Sequence, residues 1–102
     1  MKIIGSIVEE QGVIFAIVLV KHYVTQNIVE ADKARVAYQI YFPNMPIVLA
    51  SQDSQGRFFY LGRKDIVDLL ANIDPSRIPW KEYEDLHTEF KTFDDYEQKT
   101  SR

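Results

Sequence analysis

The sequence predicts an α+β fold in which two β-hairpins alternate with two helices, in the order ββαββα. Residues 13–20 (VIFAIVLV) form an unbroken apolar run, and a glycine-containing turn precedes it at Gly12. Residues 65–73 carry apolar side chains at i, i+3, i+4 and i+7, the spacing of an amphipathic helix. We therefore expect a four-stranded, mainly antiparallel sheet with both helices packed on one face.

Residues 13–20 are predicted to form a central β-strand. Most of them are β-branched, and such side chains pack well on a pleated sheet but lose rotamer freedom in a helix. Because the apolar character does not alternate, both faces of this strand should be covered. Residues 2–9 form the first strand, which pairs with it through the turn Glu10-Gln11-Gly12, where glycine adopts positive φ without steric cost.

A first helix is predicted over residues 28–42. Asn27, followed three residues later by Glu30, resembles a capping box with asparagine in the capping role. Pro43 and Asn44 end the helical pattern. The core-facing side of this helix is expected to consist of Val29, Val36, Ala37 and Ile40.

A second hairpin and a second helix follow. The predicted strands are residues 46–50 and residues 57–61 (RFFYL), joined by a turn at residues 53–56. The helix over residues 65–73 ends before Pro75, since the residue that precedes a proline avoids helical dihedrals. The apolar face of this helix is formed by Ile66, Leu69, Leu70 and Ile73.

An additional helical segment is predicted from Trp80 to about residue 91. Pro79 suits the first turn of a helix, and large apolar residues then recur at steps of three and four. Beyond Phe93 the residues are polar and charged, so residues 94–102 are predicted to form a disordered tail. Residues 1–93 then constitute a single α+β domain.

The amino-acid composition argues against several classes of protein. The chain of 102 residues has 12 basic and 15 acidic residues, a formal net charge of −3, which lacks the basic excess of a dedicated nucleic-acid binder. It contains no cysteine, which excludes disulfides, Cys-based zinc sites and thiol chemistry. The first residues do not resemble a secretory signal, and no apolar run is long enough for a bilayer. We expect a soluble cytoplasmic protein with no membrane contact.

The sequence offers few candidate catalytic residues. His22 and His87 are the two histidines, and the sequence has no P-loop, no dinucleotide fingerprint and no zinc-protease motif. We therefore predict a protein that is not an enzyme and uses no cofactor and no metal. Catalysis by one of the histidines with a nearby carboxylate is the least favoured hypothesis.

A candidate anion site precedes the second helix. Gly62, Arg63 and Lys64 place two cations beside a helix N-terminus, where a phosphate or a partner carboxylate would be favourable. Arg57 and the aromatic residues of the same strand would extend this surface, because aromatic side chains can stack on the bases of a single-stranded nucleic acid. The opposing interpretation is that nearby aspartates neutralise the cations and that the aromatic residues are core. Nucleic acid or a phosphate ligand is therefore the alternative partner, and it is disfavoured.

A C-terminal aromatic strip is the candidate partner-binding surface. Tryptophan and tyrosine are enriched in interface hot spots, but the same residues could instead complete the core on the second face of the sheet. The leading hypothesis is a non-catalytic protein that acts by protein–protein contact, as a homodimer or an adaptor. The strip consists of Trp80, Tyr83, Phe90 and Phe93.

Overall fold

The computed structural model describes residues 2–84. It has an α+β fold in which helices pack on a five-stranded sheet, so the predicted class is confirmed. The elements in chain order are β1 (Lys2–Glu10), β2 (Val13–Leu19), α1 (His22–Thr25), α2 (Ile28–Tyr38), β3 (Ile47–Gln52), β4 (Phe58–Leu61), α3 (Lys64–Leu70), a 3₁₀ turn (Pro75–Arg77) and β5 (Lys81–Glu84).

The sheet has the strand order β4-β3-β2-β1-β5 and is mixed. β1 and β2 form an antiparallel hairpin, as do β3 and β4, whereas β2 and β3 are parallel. β2 and β3 can be parallel because α1 and α2 lie between them in the chain and return it to the end of the sheet at which β2 began. The prediction of four mainly antiparallel strands is therefore only roughly right.

The first turn has the geometry that the sequence predicts. Gln11 and Gly12 both have positive φ, 51° and 81°, as a two-residue type I′ turn requires. Such a turn matches the twist of the strands that it joins and sets the register of the β1–β2 pair, in which Glu10 lies opposite Val13.

The helices cover opposite faces of the sheet, which corrects the prediction that both pack on one face. α2 covers the face that we call the α2 face, and α3 covers the other, the α3 face. Successive residues of β2 alternate between these two cores, so the expectation that both of its faces are buried is confirmed. The buried residues are Ile3, Ala16, Val18, Ala31, Phe42, Ile47 and Leu49 on the α2 face, and Phe15, Ile17, Val48, Ala50, Ile66, Leu70 and Ile78 on the α3 face.

The segment after Trp80 begins as a strand, so the prediction of a helix from Trp80 is wrong over Lys81–Glu84. β5 pairs antiparallel with β1, with Lys2 opposite Glu84. The free edge of β1 offers backbone hydrogen bonds to this segment, a tertiary contact that outweighs local spacing. The remainder of the predicted helix and the predicted tail, residues 94–102, lie outside the described residues.

The predicted cap of α2 is confirmed, but the helix ends earlier than expected. The Asn27 side chain accepts hydrogen bonds from the backbone amides of Val29 and Glu30, at 3.0 and 3.2 Å. α2 ends at Tyr38, and Phe42 instead turns into the α2-face core, where it is fully buried. The side-chain amide of Gln39 stabilises the end of the helix by donating a hydrogen bond to the Phe42 carbonyl at 2.8 Å.

Within residues 2–84, the helices are all too short to cross a membrane.

Candidate functional site

The outer face of α2 is an apolar surface that no described part of the chain covers. Four of its large side chains retain most of their exposure: Ile28 is 73% exposed, Val29 61%, Val36 77% and Ile40 63%. Ala37 lies among them and is also exposed. We call these five residues the outer α2 face, and Ile40 lies two residues beyond the end of the helix. Single exposed apolar residues are normal on a protein surface, and a group of them on one element is a candidate site of interaction.

The prediction for α2 had the wrong side of the helix facing the core. The residues that pack on the sheet are Ala31, Ala34 and Tyr38, a second apolar set at helical spacing. The two alanines let the helix approach the strands closely, and the fully buried Phe42 belongs to the same core. The i, i+3, i+7 spacing of this set was the sequence signal for the buried side, although spacing alone does not say which of two apolar sides is buried.

Charged side chains interrupt the outer α2 face near its middle. Asp32 and Lys33 are both exposed and lie between the two valines. The Arg35 guanidinium pairs with the Asp32 carboxylate, and the Lys33 ammonium lies 3.8 Å from the Glu30 carboxylate. The surface is therefore apolar at both ends and carries one acidic and one basic group in the centre.

Each cation of the predicted anion site has a carboxylate partner on a neighbouring part of the chain. The Arg63 guanidinium donates to both oxygens of Asp65 at 2.8 and 2.9 Å, and this contact lowers the pKa of the Asp65 carboxyl and raises the pKa of Arg63. The Lys64 ammonium lies 3.0 Å from the Asp68 carboxylate. This is the arrangement that the opposing interpretation of the site expects.

Arg57 lies apart from Gly62, Arg63 and Lys64. It belongs to the turn between β3 and β4, whereas the other three residues follow the far end of β4. The Arg57 Nε donates to the Asp53 carboxylate at 2.7 Å. The pKa of Asp53 is lowered, chiefly by the hydrogen bond that its side chain accepts from the Arg57 backbone amide. The structure therefore does not bring the four predicted residues into one surface.

A pocket of about 350 Å³ does include two of these residues. It brings a second arginine, Arg35 of α2, to the same cavity as Arg63. The Arg35 Nη1 atom is buried and has no hydrogen-bond acceptor among residues 2–84. We call this cavity the arginine pocket, and it is lined by Arg35, Pro46, Ile47, Leu61, Gly62 and Arg63.

The two described members of the predicted aromatic strip lie on opposite faces of the sheet. Trp80 stacks on Phe58 on the α3 face, with ring centroids 6.1 Å apart, and its indole Nε1 donates to the Pro75 carbonyl at 3.2 Å. Tyr83 packs edge-on against Phe42 on the α2 face, with centroids 5.1 Å apart. Trp80 and Tyr83 are thus half-buried parts of two cores, and Phe90 and Phe93 lie outside the described residues.

Two aromatic side chains of β4 are also held in position by packing on the sheet. Phe58 and Tyr60 stack on the α3 face with ring centroids 6.1 Å apart. Burial raises the pKa of the Tyr60 phenol, whose oxygen is buried without a hydrogen-bond partner among the described residues. A ring held in this way does not offer a free face on which a nucleic-acid base could stack.

His22 takes part in a polar contact between α1 and β3. Its Nδ1 lies 3.3 Å from the Ser51 hydroxyl, which lies 2.7 Å from the Thr25 hydroxyl. The imidazole also packs against the Phe59 ring at 5.1 Å. Ser51 is fully buried, so its hydroxyl is out of reach of a substrate in solvent. The arrangement connects α1 to the sheet. His87, the other histidine of the sequence, lies outside the described residues.

A second pocket, of about 560 Å³, lies where β2 ends. Two tyrosines from α1 and α2, Tyr23 and Tyr38, contribute to its wall, and the remaining lining residues are mostly apolar. Burial, and then the neighbouring Tyr23, raise the pKa of the Tyr38 phenol. No described pair of groups in this pocket forms an acid–base or nucleophile arrangement of the kind that catalysis uses.

Within the described range, no group of three or more histidine and acidic residues is placed to hold a metal ion. The chain was compared with protein-family models, with curated proteins and with solved structures, and none of the three comparisons gave a match.

Proposed function

We propose that this protein acts without catalysis, by protein–protein contact, and that the outer α2 face is its docking surface. The partner that this surface fits is a second copy of the same chain. The observation that carries the proposal is the exposure of Ile28, Val29 and Val36 on α2 and of Ile40 just beyond its end.

The exposure is unfavourable for an isolated chain in water. Burying a valine or isoleucine side chain contributes about 1.5–3 kcal/mol relative to leaving it exposed, so Ile28, Val29, Val36 and Ile40 together represent a substantial driving force for association. The sheet-facing side of α2 already supplies the contacts that hold the helix in the fold. The outer apolar residues are therefore available for contact with a partner.

The spacing of Val29 and Val36 on α2 favours a partner of the same kind. When two copies of the helix pack antiparallel about a two-fold axis between Asp32 and Lys33, Val29 of each copy lies opposite Val36 of the other. The two valines then form the apolar centre of a self-complementary contact, as a two-fold interface requires. Asp32 and Lys33 lie on opposite flanks of that contact, since successive residues of a helix are about 100° apart.

The first test is the solution mass of the full chain by light scattering over a range of concentrations. We expect a dimer, and we expect Val36→Lys to be a folded monomer because it adds a charge to the contact without touching the core. The matched control is Ile4→Lys, which alters an exposed isoleucine of β1, 39% exposed and on the face of the sheet opposite to α2, and should remain dimeric. A monomeric wild-type protein, or a dimer that persists in Val36→Lys, would contradict the proposal.

The second test examines the orientation of the helices. The natural chain has no cysteine, so single variants Val29→Cys and Val36→Cys can be cross-linked cleanly with a short bismaleimide. Facing helices lie about 8–10 Å apart, and residues seven positions apart differ by about 10 Å along a helix. We expect the mixed product between the two variants to form faster than either product within one variant. Preferential linkage between identical positions would exclude the antiparallel arrangement.

Binding of nucleic acid through Arg57, Arg63 and Lys64 receives less support. The three cations are already paired with carboxylates, they do not share one surface, and the aromatic residues beside them are packed into the sheet.

A further inference from the structure

We propose that the arginine pocket binds the phosphoryl group of a small molecule, held between the guanidinium groups of Arg35 and Arg63. Asp32, the ion-pair partner of Arg35, lies in the centre of the outer α2 face, whereas Arg63 precedes α3. The site needs no second copy of the chain, since one copy contributes both arginines.

The first argument is the unsatisfied nitrogen of Arg35. Its Nη2 donates to the Asp32 carboxylate, while its Nη1 is buried without an acceptor in the described part of the chain. A buried donor without a partner is rare, and it is costly when the group is charged. The atom has almost no exposed surface, so an oxyanion in the pocket supplies the missing acceptor once the guanidinium turns toward it.

The second argument is the arrangement of Arg63 on the same pocket. Its Nε and Nη2 donate to Asp65, which leaves the outer Nη1 for another acceptor. Asp65 holds the Arg63 guanidinium by two hydrogen bonds, so this side chain loses little entropy when an anion binds. The same aspartates oppose the charge of an incoming anion, so we expect weak and salt-sensitive binding.

The chemistry of the two side chains selects the ligand class. Guanidinium groups present planar forks that match the oxygen spacing of phosphate, and a tetrahedral phosphoryl group can offer different oxygens to two arginines. The volume of about 350 Å³ exceeds what a phosphoryl group alone needs, and the apolar wall formed by Pro46, Ile47 and Leu61 would contact its substituent.

The charge of the whole chain argues for a small ligand rather than a polynucleotide. The formal net charge is −3, and the pocket contains two cations rather than a basic stripe. A nucleic-acid backbone would need several neighbouring cations for its successive phosphates.

The experiment is a titration of the full chain with inorganic phosphate and, separately, pyrophosphate, followed by amide NMR shifts at constant ionic strength. We expect saturable shifts around Ile47, Leu61 and Gly62. Arg63→Gln, an exposed residue whose change leaves the core intact, should weaken binding about tenfold or more. Arg35→Lys, which keeps the charge but loses the fork, should also weaken it.

The matched control is Arg57→Gln. Arg57 is likewise paired with an aspartate, but it lies in the β3–β4 turn and does not line the pocket. Binding that survives in Arg57→Gln and is lost in Arg63→Gln supports the site. Shifts that do not saturate, or an equal loss in all three variants, would show non-specific attraction of anions and would overturn the proposal. Light scattering on the same samples separates this result from the oligomeric state.

Discussion

At Gly5 the backbone of β1 approaches β2 so closely that a side chain has no room. A Cβ atom at this position would lie 2.5 Å from the carbonyl oxygen of Ile17, which belongs to the backbone of the neighbouring strand. Because the carbonyl is held by the sheet, the strands themselves would have to move apart. The glycine therefore serves close packing of two strands rather than a turn.

We expect Gly5→Ala to destabilise the protein by about 1–3 kcal/mol, the usual cost of forcing extra volume into a packed interior. Urea denaturation followed by circular dichroism measures the change in the free energy of unfolding.

The control for this variant is Ser6→Ala, at the next residue. The Ser6 hydroxyl is buried and has no partner among the described residues, so its removal should leave stability unchanged or raise it. A Gly5→Ala variant as stable as wild type would show that the strands can separate at no cost.

At the level of elements, the start of α2 shows how far a local motif determines structure. Asn27 accepts hydrogen bonds from two backbone amides that have no partner within the helix. These bonds need nothing beyond neighbouring residues, which is why the cap could be predicted. The side of α2 that faces the core depended on distant strands, and that prediction was wrong.

We expect Asn27→Ala to lower the free energy of unfolding by about 1 kcal/mol, since alanine cannot cap the free amides. Asn27→Asp, which retains the acceptor and adds a charge favourable for the helix N-terminus, should be close to wild type. Thermal or urea unfolding distinguishes the two variants. An equal loss in both would mean that the amide NH₂ group matters more than the capping oxygen.

β5 illustrates the opposite case at the same scale. Trp80 and Tyr83 are three residues apart, a spacing typical of one helical face, but in the structure they contribute to different faces of the sheet. Lys81–Glu84 adopts an extended conformation because β1 has an open edge beside it. No pattern within four residues could indicate that edge.

For the whole molecule, the consequence of helices on opposite faces is that stability comes from two separate cores. Ile17 belongs to the core of the α3 face and Leu49 to that of the α2 face, and both are fully buried. If the two helices shared one face, substitutions on the other face would cost little.

We expect Ile17→Ala and Leu49→Ala each to destabilise the protein by about 2–5 kcal/mol, through lost burial and the cavity that remains. Ile14→Ala, on the same strand as Ile17 but half exposed, should change stability by less than about 1 kcal/mol. Equilibrium urea unfolding of the three variants provides the comparison. A mild effect of either core substitution would mean that its face of the sheet is not closed.

Much of this fold could be predicted from local sequence. The apolar run of β2, the turn at Gly12, the cap at Asn27 and the apolar spacing of α3 each act within a few residues. The structure contains the first three, and it contains α3 as Lys64–Leu70, which ends three residues before the predicted end and leaves Ile73 outside the helix. The candidate sites were less accessible to prediction. Arg63 was identified from its position before a helix, but Arg35 was not, because the two residues meet only when α2 packs beside the β3–β4 hairpin.

Hydrogen bonds and side-chain spacing between near neighbours are properties of the chain itself, so they specify elements, turns and caps before any packing occurs. The faces that the helices cover, the parallel pairing of β2 with β3, the strand at Lys81–Glu84 and the exposed side of α2 depend on contacts between residues far apart in the chain. These contacts compete with one another for the limited surface of the sheet. Ala31 and Ala34 face the strands because they permit the closer approach, and Val29 and Val36 are left to the solvent or to a partner.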